Sequence, residues 1–211
     1  SLCVMSMCAY AISKKQYRWR RGITFYVYFT TLFSGGMVPS YILITQYLGL
    51  GNNIWVYILP SLASPFYIII LRTFFAGIPG ELSEAAKIDG CSEFKIFFSM
   101  ILPLSKPALA TIGLLTLLTK WNDWQTSMLY IRDEELYTLQ YLLQRILNEV
   151  EFLKNLAQNQ PAGIDINVMN TTPSESMRFA MCVVAAGPML VVFPFFQKYF
   201  EKGMVVGAVK G

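Results

Sequence analysis

The four consecutive residues Trp121, Asn122, Asp123 and Trp124 are the best candidates in the sequence for contact with a polar ligand. They fall near the end of an apolar segment, where a charged side chain is costly unless it is paired, hydrated or functional. Indole rings stack on the faces of sugars, and amide and carboxylate groups hydrogen-bond to hydroxyls, so one reading of the cluster is that it lines a path for a sugar. The alternative is a structural polar cluster in which Lys120 pairs with Asp123.

The residue types argue against bond-breaking chemistry in this chain. Its 211 residues include no histidine, which removes histidine metal sites, histidine-containing triads and histidine proton relays. The four cysteines lack CxxC spacing, so we expect neither a zinc site nor a disulfide framework. The sequence contains no G-x-x-x-x-G-K-[ST] loop to cradle phosphates. It therefore predicts no catalytic residue, no bound metal and no cofactor held by this chain.

A second candidate site lies in residues 72–106, which mix four basic with four acidic side chains. We predict one helix over about Gly80 to Asp89 and another over about Ser92 to Leu102, which Pro103 should stop. Gly90 stands between them, where a left-handed turn favours glycine. A helix pair this short and polar cannot re-enter a bilayer, so we expect it to dock into a groove on another protein.

The elements around these sites are predicted to be membrane helices. The sequence is 55% hydrophobic and 14% charged, whereas soluble domains average about 25% charged residues. Residues 22–71 contain no charged side chain, and about 20 apolar residues suffice to span a bilayer. These observations predict an all-α, polytopic membrane protein.

Successive loops differ in charge, and the basic ones are expected to lie in the cytoplasm. The predicted segments are the end of a membrane helix (1–13), a cytoplasmic basic loop (14–21), two membrane helices with a short outer turn (22–71), a cytoplasmic loop (72–106), a membrane helix (107–130), an extracellular amphipathic helix and loop (131–176), and the last membrane helix with a cytoplasmic tail (177–211).

Finer bounds follow from the local pattern. Gly35 and Gly36 are expected to kink the first span of residues 22–71, and the second span should cover about 54–71. Apolar residues recur at three- and four-residue steps over about 135–156, which predicts an amphipathic helix. The last span should cover about 177–196. Residues 1–13 are too short to cross a membrane alone, so we expect the start of that helix to be missing.

Residues 84–90 read Glu-Ala-Ala-Lys-Ile-Asp-Gly, and Met-Ile-Leu-Pro follows after nine further residues, at 100–103. This pattern resembles the EAA signature of ABC-importer permeases, E-A-A-x3-G-x9-I-x-L-P, with Met100 standing where the signature has isoleucine. Residues 72–106 are hereafter the EAA loop. The stretches 35–41, 71–79 and 195–211 look like the carbohydrate-uptake (maltose-type, binding-protein-dependent) branch. So do residues 121–123 of the four-residue set 121–124, which is hereafter the Trp121 cluster. The first of them is similar to oligosaccharide permeases of Gram-positive-type bacteria.

The resemblance implies the transmembrane fold of a type I ABC importer, with about five membrane helices in this chain and six with the missing N-terminus. It implies a permease of the bacterial cell membrane, surrounded by lipid, that forms a sugar path, with oligosaccharides favoured. The implied partners are a second homologous permease, two cytoplasmic ATPase subunits and an extracellular solute-binding protein, and no nucleic acid. ATP and magnesium would be bound by the ATPases, so this chain would be a transport subunit and not an enzyme.

The resemblance also implies that the EAA loop couples the permease to its ATPases. The implied coupling residues are Glu84, Ala85, Ala86, Asp89, Gly90, Leu102 and Pro103. Ala85 and Ala86 would permit close approach to the ATPase surface, and Gly90 would allow the sharp turn. Glu84 and Asp89 would either pair with ATPase bases or cap and solvate the loop itself.

Two other functions remain open from the sequence. An ABC permease for a non-sugar solute shares the mechanism, and only the matches outside the EAA loop favour carbohydrate. An ion-coupled secondary transporter usually needs ionisable residues deep in the bundle, and only the neighbourhood of Lys120 and Asp123 offers any.

Overall fold

A computed structural model describes residues 1–159 and 175–208. Every regular element in these ranges is a helix. In chain order the helices are α1 (Leu2–Ser13), α2 (Arg20–Leu32), α3 (Met37–Tyr47), α4 (Trp55–Ile58), α5 (Pro65–Ala76), α6 (Gly80–Ile88), α7 (Glu93–Leu104), α8 (Lys106–Trp121), α9 (Gln125–Tyr130), α10 (Leu139–Asn159) and α11 (Glu175–Ala208). A 3₁₀ turn, Glu134–Leu136, precedes α10.

One stretch within α11, Phe179–Gln197, is long and apolar enough to cross a membrane by itself. Three bent helix pairs also meet the length and composition required: α2 with α3 at 115°, α5 with α6 at 72°, and α7 with α8 at 79°. If each pair is one span, the described residues contain four spans and the shorter apolar helix α1.

The predicted kink at Gly35 and Gly36 is present, because α2 ends at Leu32 and Gly36 adopts a positive φ of 89° before α3 begins. The prediction of one helix over 54–71 is wrong, since α4 and α5 are separate. Pro60 and Pro65 lack the amide hydrogen that a continuous helix needs, and the residue before Pro65 is held in an extended conformation, with φ −107° and ψ 116°.

The helix predicted over 107–130 is also interrupted, at 122–124, between α8 and α9. The second helix of the EAA loop, α7, ends at Leu104, one residue beyond the predicted stop at Pro103, and the chain bends by 79° before α8. A π-helical turn over Phe97–Ile101 precedes the proline, and the Leu102 amide donates to the Phe97 carbonyl. This wider turn lets the helix continue past a residue that lacks an amide hydrogen.

The amphipathic helix predicted over 135–156 is α10, which begins four residues later than expected, after the 3₁₀ turn. Asp133 accepts the Glu135 amide and Thr138 the Tyr141 amide, so each element has its own N-terminal cap. The loop predicted after this helix lies largely outside the described residues. The last helix extends twelve residues beyond the predicted end of the span, to Ala208, with Pro188 and Pro194 inside it.

The buried core is centred on α1, which packs against α5. Met5 and Ala9 of α1 lie in the same buried cluster as Leu71 and Phe75 of α5. On the other side, a Cβ added at Gly113 of α8 would come within 3.2 Å of the Leu2 side chain. That glycine therefore permits close approach between α8 and α1.

Candidate functional site

The turn between α6 and α7 has the left-handed geometry predicted for Gly90, whose φ is 76°. The Cys91 amide donates to the Ala86 carbonyl at 2.9 Å, and the Gly90 amide donates to the Lys87 carbonyl at 3.0 Å. These two bonds form a Schellman motif, which satisfies carbonyls at the end of α6. Ser92 then caps α7 by accepting the Lys95 amide.

The apolar side chains of the EAA loop face outward at this turn. Ile88, the last residue of α6, is 87% exposed, and Phe94, the second residue of α7, is 67% exposed. Ala85 is also exposed, whereas Ala86 is buried in the core cluster with Ile96. A partner that approaches this surface closely would therefore contact Ala85. The small side chain of Ala86 instead lets α6 pack against the core cluster.

The acidic residues of the EAA loop divide into two groups. Glu84 and Asp89 are exposed and form no ion pair with any residue that the structure describes. Glu93 instead binds internally: its Oε1 lies 2.6 Å from Lys87 Nζ, and its Oε2 accepts the Tyr10 hydroxyl at 2.9 Å. The hydrogen bond from Lys87, followed by that from Tyr10, lowers the pKa of Glu93 against the opposing effect of its partial burial.

The other end of the EAA motif lies at the junction of α7 and α8. Leu102 is half-buried and Pro103 is exposed. Ser105, which follows them, is completely buried and donates to the Ile101 carbonyl at 2.7 Å. These residues join the EAA loop to α8, whose sixteen residues rise about 24 Å and end at the Trp121 cluster. The two candidate sites are therefore at opposite ends of α8.

Asp123 organises the break between α8 and α9. Its carboxylate accepts the backbone amide and the hydroxyl of Thr126, at 3.1 and 2.8 Å, and pairs with Lys120 at 3.2 Å. The predicted alternative, a Lys120–Asp123 pair within a structural cluster, is thus present. Asn122 donates to the Leu118 carbonyl, and the Trp121 indole donates to the Ala185 carbonyl of α11 at 2.8 Å.

Trp124 lies beside open space at the α8–α9 break. It lines two cavities, one of about 500 Å³ and one of about 360 Å³. The larger cavity is also lined by polar side chains, which are those of Thr119, Asn122, Asp123 and Gln125. The combination of an indole with amide and hydroxyl groups is suited to a polyhydroxylated ligand.

A family model described as "Binding-protein-dependent transport system inner membrane component" matches residues 5–206. The chain belongs to this family. It is therefore a helical permease of a bacterial ABC importer, as its EAA motif predicted, and a multi-pass protein of the cell membrane, as its composition predicted.

Two curated relatives in Bacillus subtilis (strain 168) are similar over most of the chain. The polygalacturonan/rhamnogalacturonan transport system permease protein YtcP is 40% identical over 211 residues, covering 100% of this chain and 71% of the relative. Protein LplC is 41% identical over 203 residues, covering 96% of this chain and 66% of the relative. This chain thus spans 66% to 71% of the length of these two proteins.

A solved structure supports the same fold. It is described as a bacterial ABC transporter involved in the import of the acidic polysaccharide alginate, and one of its chains matches this permease with a TM-score of 0.76. The two are 32% identical, and the match covers 91% of this chain and 66% of that chain.

The sequence patterns do not identify Tyr10 and Lys14 as neighbours of the EAA loop. Lys14 donates to Ser83 at 2.9 Å, and 69 residues separate the two. The only local signal is the position of Lys14 at the end of an apolar helix, which by itself indicates membrane topology. Contacts over such separations depend on the packing of α1, which no local pattern reports.

Proposed function

We propose that this permease forms the translocation path for a sugar, with oligosaccharides as its cargo, in an importer driven by ATP and supplied by a solute-binding protein. The observation that carries the proposal is the exposed turn between α6 and α7, with Ile88 and Phe94 on its surface. The relatives named for polygalacturonan/rhamnogalacturonan and the alginate importer support carbohydrate cargo over other solutes.

We assign four partners to the working complex: a second homologous permease, two cytoplasmic ATPases and an extracellular solute-binding protein. ATP hydrolysis, with its magnesium, belongs to the ATPases. Binding of ATP closes the ATPase dimer, the α6–α7 pair moves with it, and the membrane helices change from inward-facing to outward-facing. Coupling requires that ATP and the docked binding protein both favour the outward-facing state.

Isolation of the intact complex tests this assignment. Affinity purification through the tagged permease, followed by mass spectrometry, should recover an ATPase, a second permease and bound glycan. The variant Ile88→Asp should recover several-fold less ATPase, because it places a charge in the surface assigned to docking, whereas Ile88→Val should behave as the wild type. Equal ATPase recovery with Ile88→Asp would contradict docking through this turn, and a non-sugar solute in the complex would contradict the cargo.

We further propose that Trp124 and Asn122 contact the sugar, while Trp121 and Asp123 hold the framework around them. The supporting observation is the cavity lined by Trp124 and by the polar residues of the α8–α9 break. The Trp121 indole bonds to α11 and the Asp123 carboxylate bonds to Thr126, and both side chains are partly buried. Asn122 bonds to Leu118, one turn back in its own helix, and its side chain is exposed.

Replacing Trp124 with alanine should raise the apparent KM for sugar uptake about three- to tenfold, since loss of an aromatic contact costs about 1 kcal/mol. Trp124→Phe should recover most of the affinity because it keeps a ring that can stack. The control is Trp55→Ala, which removes an exposed tryptophan from α4, away from the cavity. A KM for Trp124→Ala that equals the KM for Trp55→Ala would contradict the proposed contact between Trp124 and the sugar.

A further inference from the structure

Side chains distant in sequence tie the EAA loop to α1. The Tyr10 hydroxyl of α1 donates to Glu93 Oε2 of α7, across 83 residues. The other oxygen of the same carboxylate is 2.6 Å from Lys87 Nζ of α6. Tyr10, Glu93 and Lys87 are hereafter the α1 clamp. Lys14, the residue that follows the end of α1, donates to Ser83 of α6, so α1 and the residue after it contact both helices of the loop.

The Tyr10 ring is fixed independently of its hydroxyl. Its centroid lies 5.0 Å from that of Phe97 in α7 and 6.4 Å from that of Phe75 in α5, with an edge-on geometry in the second pair. The residue is only 9% exposed. A phenylalanine at this position would keep these aromatic contacts and lose one oxygen, so the hydrogen bond can be removed with little change in packing.

The clamp connects the surface assigned to ATPase docking with the membrane helices. Lys87 directly precedes the exposed Ile88, and Glu93 directly precedes the exposed Phe94. Helix α1, in turn, is packed into the core against α5. A displacement applied at the turn therefore reaches α1 through the Glu93 carboxylate, which is bound at both oxygens. Such a contiguous network of contacts can couple movement of the turn to movement of α1.

We propose that Tyr10 is a positioning residue for energy coupling, which acts through Glu93 to make the EAA helix pair and α1 move as one body. This inference rests on the proposed function of the chain as an ATP-coupled sugar permease. Neither Tyr10 nor Glu93 is a defined position of the EAA signature, and neither contacts the cavity assigned to the sugar. The clamp thus serves coupling and not sugar recognition.

The test uses the complete complex reconstituted in proteoliposomes, with sugar uptake and ATP hydrolysis measured together. Tyr10→Phe should lower the maximal uptake rate about tenfold, because a hydrogen bond to a charged group is lost. The KM for sugar should stay unchanged, and the number of ATP molecules hydrolysed per sugar should rise. Tyr17→Phe is the matched control, since Tyr17 lines the same cavity of about 420 Å³ beside the clamp but is exposed.

Substitutions of Glu93 separate the two bonds of the clamp. Glu93→Gln keeps an oxygen to accept the Tyr10 hydroxyl and loses the ion pair with Lys87, so it should retain more coupling than Glu93→Ala. The double variant Tyr10→Phe with Glu93→Ala should be no worse than Glu93→Ala alone, because both remove the same contact.

A purely structural role would lower the yield of the complex and leave the ratio of ATP to sugar unchanged. That result, or a Tyr10→Phe complex with the ratio of the Tyr17→Phe control, would overturn the inference. Failure of the proposed function is distinguishable, because the wild-type complex itself would then show no ATP-dependent sugar uptake.

Discussion

Gly90→Val is expected to lower sugar uptake and transport-coupled ATP hydrolysis at least about tenfold, while the permease still inserts into the membrane. The Gly90 backbone is left-handed, with φ 76°, and strain of this kind costs about 1–3 kcal/mol for a side chain with a Cβ. An added Cβ would meet no atom within 4 Å, so the effect comes from the backbone and not from a clash. Relief of the strain requires the turn to open, which shifts Ile88 relative to Phe94.

Two control variants separate backbone strain from added bulk. Gly90→Asn should keep most of the uptake, because asparagine tolerates the left-handed region far better than a β-branched residue. Gly80→Val adds the same side chain at the start of the same helix, where there is also open space and the backbone is not left-handed. Uptake is measured in vesicles containing matched amounts of assembled complex. Full uptake by Gly90→Val would show that the left-handed turn is dispensable for coupling.

The turn at Gly90 is predictable from the sequence because its signal is local. A glycine between two amphipathic stretches commonly ends the first helix, and the hydrogen bonds of the Schellman motif involve only neighbouring residues. The helix breaks at Pro65 and Asp123 also carry local signals, but the apolar composition around them favours continuous spans. The helix continues through Pro103 because a π-helical turn accommodates the proline, and nothing in the sequence around it indicates that turn.

The orientation of α6 cannot be predicted from apolar residues alone. The apolar residues of this helix are Leu82, Ala85, Ala86 and Ile88, yet the residues buried in it are Ser83 and Ala86. A helix that docks on a separate subunit exposes apolar residues in the isolated chain, so polarity no longer reports which face is inward. The bond between Tyr10 and Glu93 is hidden for a related reason, since neither residue departs from its local pattern and only the tertiary packing brings them together.

Ser127 of α9 is the second residue whose substitution is expected to have a large effect, and that effect falls on stability. Its side chain is completely buried, and its hydroxyl lies 2.7 Å from the Tyr57 hydroxyl and 2.9 Å from the Thr138 hydroxyl. The same oxygen accepts the Thr138 amide at 3.1 Å. One hydroxyl therefore holds together α4, α9 and the residue that caps α10.

Ser127→Val should destabilise the complex by about 3 kcal/mol, because it leaves the half-buried Thr138 amide without this acceptor and adds methyl groups at a completely buried position. Ser127→Ala should cost less, about 1–2 kcal/mol, since it removes the hydrogen bonds without the crowding. Thermal unfolding of the purified complex, followed by size-exclusion chromatography after heating, measures both variants against Ser99→Val, which places the same side chain at an exposed serine of α7. If Ser127→Val unfolds at the temperature of the Ser99→Val control, the hydroxyl does not hold these three elements together. A fall in stability for Ser127→Val but not for Ser127→Ala would assign the effect to crowding alone.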